Sequence, residues 1–147
     1  LPEATRATQS GPGALPRGSE TLLIVEEDAG IRQLIHLTLR MLGYQVLLAA
    51  TPQDGLALAA SHRGPIHVLI LDTRSVSQSS AALPAALLPG HPQLRVLILR
   101  QESDDAPFHR GVAPYDSLFL ALPFTPQALA VKLRELLERP HGQRQAP

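Results

Sequence analysis

The sequence contains no cysteine, and aromatic residues make up only 3% of its 147 positions. The lack of cysteine excludes disulfides, thiolate metal sites and a cysteine nucleophile, and it is consistent with a reducing compartment. Because aromatic rings are so few while apolar residues reach 44%, the core has to be built from Leu, Ile, Val and Ala.

An excess of charge of either sign is also lacking, since 13 basic residues balance 13 acidic ones. No overall field therefore attracts nucleic acid or an anionic membrane surface. No apolar run approaches the ~18 residues of a membrane span, and the start has no basic-then-apolar signal pattern. We expect a cytoplasmic protein that binds neither nucleic acid nor membrane. The chain does not begin with Met, which indicates a piece of a longer protein.

Pro, Gly, Ser and Thr dominate residues 1–19, and this composition predicts a flexible linker. We expect one domain over 20–139 and a disordered tail over 140–147. Within the domain, five short apolar runs alternate with helical patterns, and residues 101–116 leave a short helix open as an alternative to a loop. The alternation predicts an α/β fold with a parallel sheet covered by helices on both faces. The runs expected as strands are 21–25, 44–48, 65–72, 94–99 and 118–121.

The helices carry their own start and stop signals. Asp28 is expected to cap the first helix, which Gly43 ends, and Thr51 and Thr125, each followed by Pro, start two others. A short helix is expected over 82–88, where Pro84 fits only in the first turn.

The central strand ends at Asp72. A strand buried on both faces delivers its last residue to the carboxyl edge of the sheet, the edge at which the parallel strands end and where open α/β folds place their sites. Two interpretations of Asp72 stay open here: it starts a turn, or it is a functional carboxylate.

Three carboxylates in a row, Glu26, Glu27 and Asp28, follow the first strand. They stand where a dinucleotide fingerprint or phosphate loop would begin, so NAD or ATP binding is disfavoured. An acidic cluster after one strand and a lone Asp after another is an arrangement that would hold a hard divalent cation beside a carboxylate nucleophile.

At these positions the sequence resembles the receiver domains of bacterial response regulators. The resemblance covers about residues 20–139, and the element order agrees throughout. It is similar in particular to the receiver that follows the kinase core of hybrid sensor histidine kinases. The matching segments are 22–28, 31–32, 42–44, 68–72 and 123–126.

The resemblance implies a flavodoxin-like doubly wound sheet in the order 2-1-3-4-5. It implies that Asp72 accepts a phosphoryl group from a histidine kinase or a phosphotransfer domain. It also implies that Glu26, Glu27, Asp72 and the backbone carbonyl of Arg74 hold Mg²⁺. Relatives end strand four in a Ser or Thr that reports the phosphate, and strand five in a Lys that binds it.

This sequence departs from that pattern at decisive places. Arg100 occupies the hydroxyl position, Leu122 occupies the lysine position, and the acidic pair is Glu-Glu. Mg²⁺ demands strict octahedral geometry, so the longer side chains weaken its site. We therefore expect a degenerate receiver, a pseudo-receiver that acts through protein contacts, with weak or absent Mg²⁺ binding and phosphorylation. The alternative is an active phospho-acceptor receiver with Mg²⁺.

The substituted positions suggest their own hypotheses. An ion pair of Arg100 with Asp72 or Glu27 would replace the metal, and the alternative is that Arg100 points to solvent. Phe119 matches the aromatic switch position of the family, and it also fits as an ordinary core residue. The last strand and the last helix form the face through which receivers often dimerise, which makes a homodimer a further expectation.

Overall fold

The computed structural model describes residues 15–72, 78–101 and 116–140. Five parallel strands form one sheet in the order β2-β1-β3-β4-β5, as the sequence predicts. The strands are β1 (Thr21–Val25), β2 (Gln45–Ala49), β3 (Val68–Asp72), β4 (Arg95–Gln101) and β5 (Asp116–Leu122).

Within the described residues, four helices pack on the two faces of this sheet, and the ends of three of them confirm the expected signals. Asp28 accepts a hydrogen bond from the Ile31 N–H at 2.9 Å at the start of the first helix. Gly43, just past the end of that helix, has a φ of +102°. Thr51 and Thr125 cap their helices in the same way as Asp28. The helices are α1 (Ala29–Met41), α2 (Pro52–Ser61), α3 (Gln78–Leu87) and α4 (Pro126–Leu137).

Helix α3 corrects one expectation. It begins at Gln78 rather than near residue 82, so Pro84 lies inside the helix instead of in its first turn. Ser79 and Ser80, in the first turn of this helix, have weak helix propensity, so the sequence did not reveal where the helix begins. Proline cannot donate the usual hydrogen bond to the preceding turn, but Leu88 N–H still bonds to the Pro84 carbonyl at 3.0 Å. In the ambiguous segment 101–116, Gln101 ends β4 and Asp116 begins β5, and 102–115 lie outside the described residues.

Strand residues alternate between two apolar clusters, one on each face of the sheet. On one face, even-numbered residues of β1 and β3 pack with α1 and α4, and we call this the α1/α4 cluster. On the other, odd-numbered residues of the same strands pack with α2 and α3, which is the α2/α3 cluster. Burial on both faces explains why these strands read as unbroken apolar runs.

The last residues of the expected linker contact the domain. Leu15 packs against the α1/α4 cluster, and Gly18 N–H donates to the Leu42 carbonyl at 3.1 Å. The linker as a whole and the tail beyond Pro140 stay predictions. No helix within 15–72, 78–101 and 116–140 is long and apolar enough to cross a membrane.

Candidate functional site

The carboxyl edge brings Asp72 and Glu26 to the same level of the sheet. Val25 of β1 pairs with Leu71 of β3, so the two acids are the next residues on neighbouring strands. Asp72 is 2% exposed and Glu26 is 1% exposed, whereas Glu27 faces solvent. The structure therefore buries two of the predicted acids, Glu26 and Asp72, and exposes the third, Glu27.

One carboxylate oxygen of Glu26 bonds within its own loop. Its Oε2 accepts a hydrogen bond from the Asp28 N–H at 2.8 Å, while the Asp28 side chain caps α1. The guanidinium of Arg32 reaches back from α1 and donates to the carbonyls of Glu26 at 2.8 Å and Glu27 at 3.3 Å. The loop after β1 is thus held by contacts among residues 26–32.

Two of the expected magnesium ligands, Glu26 and Asp72, are buried at this edge, and Glu27 is exposed. Within the described residues, no three His, Cys, Asp or Glu side chains form a group that could hold a metal ion. Mg²⁺ takes several oxygen ligands in octahedral geometry, and one buried acid here already accepts a backbone hydrogen bond. Arg74, whose carbonyl is the fourth expected ligand, lies outside the described residues. The described side chains alone do not make up the ligand set that the ion needs, and weak or absent Mg²⁺ binding stays a prediction.

Arg100 lies over the ring of Phe119, with its Cζ atom 5.1 Å from the ring centroid. The two residues are brought together by the pairing of β4 with β5, in which Ile98 faces Phe119 and Arg100 faces Ala121. A guanidinium at this distance from an aromatic ring is attracted by the negative face of the ring. The position expected to hold a mobile hydroxyl thus holds a bulky cation in contact with the expected aromatic switch.

Leu122, at the position where relatives carry a lysine, lies in an apolar environment. Leu122 is 9% exposed and belongs to the α1/α4 cluster, and the peptide bond to Pro123 is cis. Leu122 offers no charge to a phosphoryl group. The pairing of Arg100 with Asp72 or Glu27 stays a prediction.

Sequence reasoning missed a charged network at the edge of the sheet where the strands begin. Arg134 of α4 donates to both carboxylate oxygens of Glu20 at 3.0 and 3.1 Å, to the Tyr44 hydroxyl at 3.2 Å and to Glu138 at 2.9 Å. Burial raises the pKa of Glu20, but the hydrogen bonds from Arg134 outweigh it and leave that pKa below its usual value. Burial also raises the pKa of the Tyr44 phenol. No signal in the sequence joins Glu20 to a residue 114 positions away.

No family model matches this chain. It is 28% identical over 124 residues to the sensor kinase CckA of Brucella abortus, which covers 83% of this chain and 13% of that protein. It is 30% identical over 121 residues to the transcriptional regulatory protein CreB of Escherichia coli, which covers 82% of this chain and 52% of CreB. The chain thus spans about half of CreB and a small part of CckA.

A solved structure gives the same result in three dimensions. The beryllofluoride-activated receiver domain of DrrB superimposes with a TM-score of 0.66 and 25% identity, over 83% of this chain and all of that one.

Proposed function

Because this chain has the sequence and fold of a response-regulator receiver domain, we propose that it is a pseudo-receiver, a signalling module that acts through protein contacts and in which Asp72 is phosphorylated weakly or not at all. Receiver domains serve signal transduction in two-component systems. The proposal concerns how this one carries out that role.

The contact of Arg100 over Phe119 is the observation that carries the proposal. In the family, a small hydroxyl at the position of Arg100 reports the phosphate, and the aromatic residue responds. Here a long cation fills the first position and already contacts the second. Such a contact favours one arrangement of the pair whether or not Asp72 carries a phosphoryl group.

Three further features support the same conclusion. Leu122 cannot neutralise the charge that develops on a transferring phosphoryl group. One carboxylate oxygen of Glu26 already accepts a hydrogen bond within its own loop. Asp72 is almost fully buried, so a phosphodonor would have to displace other groups to reach it.

The alternative is a functional phospho-acceptor receiver, and one observation favours it. Asp72 still ends the central strand at the carboxyl edge, level with an acid of β1. A carboxylate there retains the position of a nucleophile.

The two functions are separated by adding Mg²⁺ and beryllofluoride to the ¹⁵N-labelled chain and recording amide spectra. Beryllofluoride mimics the phosphoryl group on an aspartate. We expect no saturable shift at Asp72 or its neighbours. Saturable shifts that disappear in Asp72→Asn would overturn the pseudo-receiver and support the alternative.

The double variant Arg100→Thr with Leu122→Lys supplies the matched comparison. It restores the two residue types that the family uses, and a lysine on a phosphoryl group makes a charge-assisted hydrogen bond. We expect the affinity for Mg²⁺ with beryllofluoride to rise about tenfold or more. An unchanged affinity in a variant that folds normally would show that Arg100 and Leu122 are not what disables the site.

We also propose the context in which this module works. Similarity to part of a sensor kinase supports a receiver within a hybrid histidine kinase, so the chain is not a stand-alone enzyme. Its partners would be a histidine kinase or a phosphotransfer domain. Val131, an exposed apolar residue of α4, supports a homodimer through β5 and α4. Sedimentation of the chain and of Val131→Glu tests this, since the substitution should shift a dimer to monomer.

A further inference from the structure

Residues 15–19, which we call the strap, lie against the domain just before β1 begins. Gly18 N–H donates to the Leu42 carbonyl at 3.1 Å, immediately past the end of α1. The Arg17 carbonyl accepts a hydrogen bond at 3.4 Å from Arg134, in the last turn of α4. The strap therefore joins the ends of two helices that pack on the same face of the sheet.

The strap and α4 also share one carboxylate. Glu20 Oε1 accepts a hydrogen bond from the Ser19 N–H at 3.2 Å and another from the Arg134 guanidinium at 3.0 Å. The Glu20 carbonyl accepts from the Gln45 N–H at 3.0 Å, so the backbone of Glu20 is fixed to the sheet. A change in the position of the strap thus alters the hydrogen bonds of Arg134 while the edge of the sheet stays in place.

The strap is held by weak contacts. Within the described residues, these are the hydrogen bonds above and the packing of Leu15, from a half-buried position, against the α1/α4 cluster. Each such contact stabilises a segment by about as much as the ordering of one or two residues costs. Gly18 adds to that cost, because glycine loses more conformational freedom on ordering than other residues. The closed strap is therefore close in free energy to an open one.

We propose that the strap opens and closes as a unit while the rest of the domain stays folded, and that Arg134 couples its position to the end of α4. In the closed state, Arg134 binds the Arg17 carbonyl and the carboxylate of Glu20 that the strap shares. In the open state, Arg134 loses the Arg17 carbonyl, and the last turn of α4 becomes less protected. The end of the predicted linker thus acts on α4 as a conformational switch.

Trypsin measures the open population of the full chain, because the peptide bond between Arg17 and Gly18 lies in the strap. When the strap is closed, the carbonyl and the N–H of this peptide bond are both hydrogen-bonded. Cleavage of a locally opened segment tracks the population of the open form when opening and closing are fast relative to cleavage. In Gly18→Ala we expect cleavage after Arg17 to be about tenfold faster, since a Cβ atom there would meet the ring of Tyr44.

Two controls make the cleavage rate interpretable. Free peptides of residues 10–25, with and without the substitution, give the intrinsic rate at this bond. Gly90→Ala adds the same methyl group where a Cβ atom would lie 4.0 Å from the Leu87 carbonyl oxygen, and it should be cleaved after Arg17 at the wild-type rate. Wild-type cleavage as fast as that of the free peptide, or an unchanged rate in folded Gly18→Ala, would overturn the strap.

Hydrogen exchange tests the coupling to α4. In Gly18→Ala we expect the amides of Leu136 and Leu137 to exchange about threefold faster or more, while the amides of α2 keep their wild-type rates. Equal acceleration in both helices would indicate a general loss of stability and contradict the coupling, as would unchanged exchange in α4. If Gly18→Ala does not fold, Arg134→Met removes the donor to the Arg17 carbonyl and should speed cleavage after Arg17 about threefold or more. Wild-type cleavage in that variant would overturn the role of Arg134.

Discussion

At the carboxyl edge of the sheet, Glu26 and Arg32 bond to residues close to them in sequence, whereas at the amino edge, where the strands begin, Arg95 and Arg134 bond to residues far along the chain. Glu26 accepts from a residue two positions away, and Arg32 donates to one six positions away. At the other edge, Arg95 bonds 42 positions away and Arg134 bonds 114 positions away. The amino edge thus joins separate elements of the fold, whereas the loop after β1 is held by local bonds.

The largest difference is expected between two arginines of the same strand. Arg95→Met removes the donor to two carbonyls at the end of α4 from a buried position and should lower the free energy of unfolding by about 3 kcal/mol. Arg100→Met, at the other end of β4, removes a contact with an aromatic ring from a half-buried position and should cost less than Arg95→Met. Urea denaturation of both variants provides the measurement. Equal losses would mean that the two edges do not differ in how they stabilise the fold.

A smaller difference is expected within helix α4. Arg134→Met removes the paired hydrogen bonds to Glu20 and should cost about 1–2 kcal/mol. Lys132→Met removes an exposed pair with Glu135 at 3.6 Å and should cost less than about 0.5 kcal/mol. Thermal unfolding of the two variants compares a long-range ion pair with a local one. A loss in Lys132→Met as large as that in Arg134→Met would contradict this account.

The smallest effect is expected from pH, through His91. Burial lowers the pKa of His91 from its ordinary 6.5, and the nearby His62 lowers it further. Below pH 6.5 the unfolded ring takes up a proton before the folded ring does, so the free energy of unfolding should fall as the pH falls. Above pH 6.5 both rings are neutral and the contribution is constant.

Denaturation between pH 7.5 and 5 should therefore show a steeper loss of stability for the wild type than for His91→Asn. All other groups that titrate between pH 7.5 and 5 are present in both proteins. The difference between the two curves therefore reports His91 alone. Parallel curves would show that His91 does not couple folding to protons.

The sequence predicted the fold well because the relevant signals are local. Asp28, Thr51 and Gly43 determine helix ends through contacts with residues three or four positions away. The unbroken apolar runs reflect burial on both faces of a parallel sheet, which limits the topologies. The start of helix α3 was missed because Ser79 and Ser80 in its first turn have weak helix propensity.

The candidate site was predicted only as a set of positions. Asp72 and Glu26 could be placed at one edge because parallel strands end together. The direction of the Arg100 side chain depends on the register of β4 with β5, and no local pattern records that register. The role of Arg95 was missed because its partners belong to α4, far along the chain, and an arginine beginning an apolar strand gives no sign of them.

At Gly18 the chain enters the domain so close to its neighbours that a side chain would not fit. A Cβ atom at this position would meet the ring of Tyr44 and lie 2.6 Å from Arg134, and Gly43 would meet the Gly18 carbonyl if it carried a side chain. The chain passes there between β2 and the last helix before it enters β1. A pull or twist applied upstream of Gly18 would thus reach α4 through the Arg134 network without crossing the sheet, so the entrance of the domain and its last helix would move as one mechanical unit.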